Sequence, residues 1–310
     1  MSLENPVIAV IGAGAVGGYY GARLIQSGHR VHLLNRSECA HIRQFGMEIH
    51  SRDGDFSLAP GKVNIYDDPR QMPKADLVLV TLKTTANNRL GELISPVLKP
   101  DTIILTLQNG LGNEEILGDL FGRDRVLGGM AFVCINRGKP GEILHTDHGK
   151  IQLGEPWSGP GDRARRIAEI FVKSRVPCEV IENLPAGRWE KLLWNIPFNG
   201  LGAALDMTTD ILIGNEHGLE LIRQLMREVI ATCKPVGVEL KLALIETKIQ
   251  YTQTMGAYKT SMQIDRQLGR PMEVDAIIGR PVRLAQEYNV ATPYMQMLCE
   301  ILEVLDSCRK

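Results

Sequence analysis

The sequence predicts an α/β protein in which an N-terminal domain built on a parallel sheet precedes an all-helical C-terminal domain. Three observations carry that reading. Short β-rich runs alternate with helical patterns through the first half, a glycine turn joins the first run to the first helix, and from about Leu184 the apolar spacing is helical throughout. The last strand, Cys178 to Ile181, gives way through Asn183, Pro185 and Gly187, so the domains are set at 1–183 and 184–310. A chain of 310 residues has the length of two domains.

In order, Val7 to Ile11 is a β-rich run, and the pattern after the glycine turn is helical through Ile25, ending before Gly28. Val31 to Leu34, Leu77 to Leu82 and Thr102 to Leu107 read as further strands of the sheet, with helical stretches between them. Met47 to Ile65 carries short alternating segments broken at Asp53-Gly54 and Pro60-Gly61, which predicts a hairpin at one edge. Arg125 to Ile135, Gly141 to His145 and Lys150 to Leu153 follow as strands, then a helix with Arg163, Arg165 and Arg166 on a face expected in water. Helices are expected at Pro185 to Leu205, Gly218 to Cys233, Leu240 to Thr254, Val274 to Tyr288 and Pro293 to Asp306.

Composition excludes several classes of function. Lys and Arg number 35 against 36 Asp and Glu, a net charge of −1, which leaves no basic field to hold a nucleic acid. No apolar run reaches the ~18 to 20 residues of a membrane span, and the opening MSLENP has an acid where a leader would be basic. The six cysteines are scattered without a C-x-x-C pair, as expected of reduced thiols in a cytoplasmic protein.

The glycine turn, Gly12-Ala13-Gly14-Ala15-Val16-Gly17, has the spacing G-x-G-x-x-G between a strand and a helix. In a Rossmann-type domain the first glycine makes the turn, the second admits a pyrophosphate and the third lets the helix pack on the strand. Cofactor choice is read about 20 residues on, where an acid would bind the ribose hydroxyls of NAD. Here the chain has Asn35-Arg36, and an arginine there pairs with the 2′-phosphate of NADP(H). The alternative is that Arg36 is a solvated loop residue and Glu38 binds the ribose. Lys83 and Asn109 follow the carboxyl ends of two strands, where ligands of such sheets bind.

In the second half, Lys191, Asn195 and Asn199 are spaced i, i+4, i+8 on a helix otherwise built from Leu, Trp, Ile and Phe, with Pro197 expected to kink it. The stripe is either a wet surface or a shielded site, and shielding would lower the pKa of Lys191 toward that of a usable proton donor. Glu273 precedes an apolar helix and reads as a cap or a ligand; Asp265 and Arg270 are spaced to pair and fix their loop. His145 and His148 have no third partner in view, so no metal site is expected. There is no G-x-S-x-G elbow, H-E-x-x-H or P-loop.

Taken in order, G-A-G-A-V-G-G at 12–18, Arg36, V-T-L-K at 80–83, Q-N-G at 108–110, K-L-L-W-N at 191–195 with Asn199, S-M-x-x-D at 261–265 and R-P-M-E-V-D at 270–275 make the chain resemble the ketopantoate reductases (2-dehydropantoate 2-reductases) from end to end. The resemblance implies an NADPH-binding domain using Gly12, Ala13, Gly14, Ala15, Val16, Gly17, Arg36, Lys83 and Asn109, and a helical domain that closes over it. It implies that Lys191 is the general acid, that Asn109, Asn195 and Asn199 contact substrate, that Ser261 helps hold the substrate carboxylate, and that Glu273 binds the substrate hydroxyl. The implied reaction reduces the small 2-oxo acid 2-dehydropantoate to (R)-pantoate, on the route to pantothenate and coenzyme A, in a monomer or homodimer. Three features depart from the family pattern: Pro197 comes before Asn199 rather than after it, Met272 stands where many members have Thr, and the Thr208-Thr209-Asp210 region lacks a further asparagine found in some. They leave room for a different 2-oxo acid, or for a non-catalytic NADP(H)-binding regulator.

Overall fold

All five residues of the first strand, β1 (Val7–Ile11), are buried, and they alternate between two cores: Ile8 and Val10 join one, Val7, Ala9 and Ile11 the other. A strand buried on both sides needs cover on both faces of its sheet, which is why it reads as an unbroken apolar run. The structure, a computed structural model, describes residues 5–309; the start of the chain through Glu4, where an acid stands in place of a leader's basic residues, lies outside them. The chain divides into two compact units. One runs to Gln108 and resumes over Asn113–Leu184, and the other joins Asn109–Gly112 to the chain from Pro185 onward.

The first unit holds a ten-stranded sheet. After β1 come β2 (Arg30–Leu34), β3 (Met47–Ser51), β4 (Phe56–Leu58), β5 (Asn64–Tyr66), β6 (Ala75–Val80), β7 (Leu98–Thr106), β8 (Val126–Arg137), β9 (Glu142–Gly154) and β10 (Cys178–Val180). The order is β4-β3-β9-β8-β7-β6-β1-β2-β5, with β10 also on β9. From β5 to β8 every pair is parallel, and the chain reverses its direction of winding between β1 and β6. Ligands of doubly wound sheets bind at the carboxyl ends of strands beside such a reversal. The unit's α-helices are α1 (Ala15–Gln26), α2 (Cys39–Phe45), α3 (Leu90–Ile94), α4 (Asn113–Phe121) and α5 (Asp162–Lys173).

Three expectations are corrected here. The β3–β4 hairpin turns at Asp53-Gly54, but Pro60-Gly61 belongs to a 3₁₀ turn that carries the chain to β5 on the opposite edge, beside β2. The strands read at 141–145 and 150–153 are one strand, because His148 and Gly149 take positive φ in a bulge that keeps β9 paired with β8. Arg163 is not in water: its guanidinium donates to the buried carboxylate of Glu155, Nε to Oε1 at 2.9 Å.

The second unit is helical: α6 (Leu184–Leu205), α7 (Thr209–Gly214), α8 (Glu216–Cys233), α9 (Ala243–Gln253), α10 (Ser261–Gln267), a π-helical turn (Asp275–Gly279), α11 (Arg280–Glu287) and α12 (Pro293–Ser307). Helices α7 and α10 leave no periodic signal in the sequence, because each is too short to display a helical period. Leu192, Leu193, Ile196, Phe198 and Leu201 of α6 enter one core with Ile222, Leu225 and Val229 of α8 and Met295, Leu298 and Leu302 of α12. The helix α6 continues through Pro197. Among the described residues no helix is long and apolar enough to cross a membrane.

Candidate active site

The glycine turn sits at the carboxyl end of β1, and its three glycines differ in what surrounds them. Gly12 has φ +97°, and a Cβ there would lie 2.7 Å from the Leu82 amide nitrogen. A Cβ on Gly17 would lie 2.7 Å from the Gly12 carbonyl and inside the Thr81 hydroxyl. These two positions need glycine for conformation and for packing. At Gly14 the nearest atom to a Cβ is 3.9 Å away, so the backbone there is open on its side-chain side. Past it, the amides of Ala15, Val16 and Gly17 open α1 and have no acceptor within the helix. An open glycine backed by first-turn amides fits a pyrophosphate.

The end of β2 is tied to this turn. Asn35 Nδ2 donates to the Ala13 carbonyl at 2.6 Å, while its Oδ1 accepts from the Glu38 amide at 2.9 Å. Arg36 is exposed, and no ion pair holds it among the described residues. Glu38, the other ribose candidate, is engaged elsewhere: it pairs with Arg137 at 3.0 Å and accepts from the Gly141 amide. The charge presented after β2 is therefore positive, which suits a 2′-phosphate. Just past the end of β6, which pairs with β1, Thr81 Oγ1 donates to the Gly12 carbonyl at 2.9 Å, and half-buried Lys83 follows two residues later.

A chain of amides, which the sequence did not signal, pins both stems of the loop 109–112. Buried Gln108 accepts from Thr106 Oγ1 and donates to Asn87 Oδ1 at 2.8 Å, and Asn87 donates in turn to Asn113 Oδ1 at 3.0 Å.

In the second unit, Lys191 Nζ donates to Asn109 Oδ1 at 2.9 Å, and Asn109 Nδ2 reaches Glu273 Oε2 at 3.5 Å. One amide thus links an amine and a carboxylate from segments more than 80 residues apart in sequence. Lys191 is half-buried on α6, and burial lowers its pKa from 10.5 to about 7; Arg188, one turn earlier, pushes the same way, and Glu273 opposes. The reading of Lys191 as a wet surface residue does not hold. Asn195 and Asn199 continue the stripe, both buried, while Glu190 on another face pairs with Lys248 at 2.7 Å.

Ser261 is exposed in the first turn of α10, where Thr260 is the cap, accepting from the Gln263 amide. Asp265 pairs with Arg270 at 3.3 Å and closes the loop before Glu273. His145 is buried with both ring nitrogens occupied, Nδ1 by Ser51 Oγ and Nε2 by the carbonyls of Asp147 and His148. Glu48, His50 and Glu142 do converge on the β3–β9 pair, where His50 Nδ1 lies 3.2 Å from Asp55 Oδ2 and its Nε2 3.3 Å from Glu142 Oε1.

A ketopantoate reductase PanE/ApbA profile matches residues 8–157, and its C-terminal companion, ketopantoate reductase PanE/ApbA C terminal, matches 183–306. The chain belongs to the ketopantoate reductase family. It is 43% identical to a 2-dehydropantoate 2-reductase of Nostoc sp., over 96% of this chain and 94% of that one. Among solved structures, the 2-dehydropantoate 2-reductase of Geobacter metallireducens aligns with a TM-score of 0.93 at 43% identity, covering 96% of this chain and 99% of that one. That of Methylococcus capsulatus aligns at 0.86 and 30%, covering 97% and 96%. The two profile matches together reach into both units.

Proposed function

We propose that this chain is an NADPH-dependent 2-dehydropantoate 2-reductase, reducing the C2 ketone of 2-dehydropantoate to give (R)-pantoate for pantothenate synthesis. The observation that carries the reading is the Lys191–Asn109–Glu273 arrangement, in a chain 43% identical over nearly its whole length to a relative of that name. NADPH, when bound, supplies the hydride. Gly14 and the first-turn amides of α1 hold the pyrophosphate, with Ala13, Ala15, Val16 and Gly17 completing the turn; Arg36 takes the 2′-phosphate, and Lys83 and Asn109 serve the nicotinamide end.

The remaining chemistry falls to the chain's own side chains. Negative charge develops on the ketone oxygen as the C2 carbon is reduced, and Lys191 donates first a hydrogen bond and then a proton to that oxygen. With a pKa of about 7 the ammonium is populated near neutrality and still acidic enough to release its proton. Asn109 Oδ1 occupies one of the three Lys191 donors and so fixes the direction of the others. Glu273 accepts from the substrate hydroxyl, the amides of Asn195 and Asn199 donate to substrate, and Ser261 donates to the carboxylate. The same reading makes the protein a cytoplasmic monomer or homodimer without a nucleic-acid or membrane partner.

Loss of NADPH absorbance in the presence of 2-dehydropantoate, beside NADH and a panel of other 2-oxo acids, tests the proposal. Turnover of 2-dehydropantoate with preference for NADPH is the expected result. Faster turnover of another 2-oxo acid would overturn the substrate, and tight NADPH binding without any turnover would overturn the reductase reading.

A further inference from the structure

Lys191 sits on α6 and Glu273 immediately before the helical run that opens at Val274, but Asn109, which links them, lies on a loop that must be held in place by something. The hold is visible at the π-helical turn. There the Arg280 amide donates five residues back, to the Asp275 carbonyl, instead of four back to Ala276. The Ala276 carbonyl would then look five residues ahead for a donor, and residue 281 is proline, which has no N–H. The amide of Leu111 takes its place, donating to the Ala276 carbonyl at 2.9 Å.

Pro281 also accounts for the turn itself. A proline ring in an α-helix runs into the carbonyl four residues back, here that of Ile277, and widening the turn by one residue relieves the clash. The loop is shaped to match the freed carbonyl. Gly110 has φ +82°, and a Cβ there would collide with the Ala276 carbonyl; Gly112 has φ +88°, with a Cβ 2.7 Å from Arg280 Nε. Leu111, between them, packs against the core of the helical unit.

We propose that Pro281 is a positioning residue for the reaction: by denying the widened turn its own donor, it reserves the Ala276 carbonyl for Leu111 and so fixes Asn109 between Lys191 and Glu273. This rests on the role given to Lys191 above. The test is Pro281→Ala in the full-length protein, with amide hydrogen exchange and steady-state kinetics measured together. The restored N–H at 281 competes for the Ala276 carbonyl, so the Leu111 amide should exchange about tenfold faster. Displacement of Asn109 should lower kcat by about 10- to 100-fold. KM for NADPH should change less than kcat, because Gly12, Gly14, Gly17 and Arg36, which hold the phosphates, belong to the other unit and only Asn109, at the nicotinamide end, is displaced. The basic limb of the kcat–pH profile should move to lower pH, since Asn109 Oδ1 no longer favours the Lys191 ammonium.

If Pro281→Ala does not fold, Gly110→Ala breaks the same contact from the loop side, and the same changes are expected. Unchanged Leu111 exchange, or faster exchange with an unshifted pH profile and kcat within about twofold of wild type, overturns the proposal. Should wild type fail to reduce 2-dehydropantoate, the functional reading falls, while the exchange rate of Leu111 still decides whether Pro281 holds the loop.

Discussion

Replacing Lys191 with Met removes the amine while keeping an unbranched chain of similar bulk, and the structure sets the size of the effect. Burial, aided by Arg188 and opposed by Glu273, lowers the Lys191 pKa from 10.5 to about 7. At about 1.4 kcal/mol per unit, holding this ammonium in the folded chain costs on the order of 5 kcal/mol more than holding it in water. The folded pKa lies below the unfolded one, so between pH 7 and 10.5 the unfolded chain binds more protons. The destabilisation is therefore complete below about pH 7 and is relieved as the pH rises through that window. From pH 6 to pH 9 wild type should gain roughly 2 to 3 kcal/mol relative to Lys191→Met, which urea unfolding at the two pH values measures. Kinetics supply the second arm: the variant should lose ~10² to 10⁴ in kcat, and the wild-type rate should fall as pH rises through about 7. A stability difference independent of pH, with kcat within about tenfold of wild type, would refute both the burial of the amine and its role as acid.

Gly14→Ala should leave the melting temperature unchanged yet weaken NADPH binding, because a Cβ there meets nothing closer than 3.9 Å in the protein itself. Gly17→Ala should lower the melting temperature, since its Cβ has no room beside the Gly12 carbonyl and Thr81; fluorescence titration and thermal melts separate the two. Arg36→Ala should raise KM for NADPH by about 10- to 100-fold, the worth of a charge-assisted hydrogen bond, and leave KM for NADH alone. Glu228, buried, accepts the amides of Tyr294 at 3.0 Å and Met295 at 2.7 Å at the head of α12, and burial raises its pKa above 4.5 even so. The folded chain then holds the proton longer than the unfolded one, so stability from this group is lost as pH rises above 4.5. Melts of wild type and Glu228→Gln from pH 4.5 to 8 should show the wild type losing ground as the pH rises.

The sheet was legible because its strands are buried on both faces: Val7 to Ile11 and Leu77 to Val80 are unbroken apolar runs, and a run that short, bounded by turns, fits a doubly covered strand better than a helix. The glycine turn was legible because Gly12 and Gly17 answer local constraints of conformation and packing, and Gly14 stands at the spacing between them. Strand partners were not. Nothing local distinguishes β4 from β5, yet they stand at opposite edges, since pairing is settled by where the chain can cross. The polar spacing of Lys191, Asn195 and Asn199 marked a stripe without saying whether it was wet; the answer lay in Arg188, Asn109 and Glu273, which come from three different segments.

The same contrast bears on two of the departures from the family pattern, at Met272 and Pro197. Met272 is 3% exposed, its side chain packs within the helical unit's core and its amide donates to Asp306 Oδ1 at 2.8 Å. A change there acts on the packing that carries Glu273, one residue on, rather than on the ligand itself. Pro197 is different, for it stands inside α6 between Asn195 and Asn199 and removes the amide that would pair with the Leu193 carbonyl. It alters backbone polarity within the stripe that runs from the amine, so any divergence in substrate from the family is expected to map to α6 around Pro197 and not to the segment before Glu273.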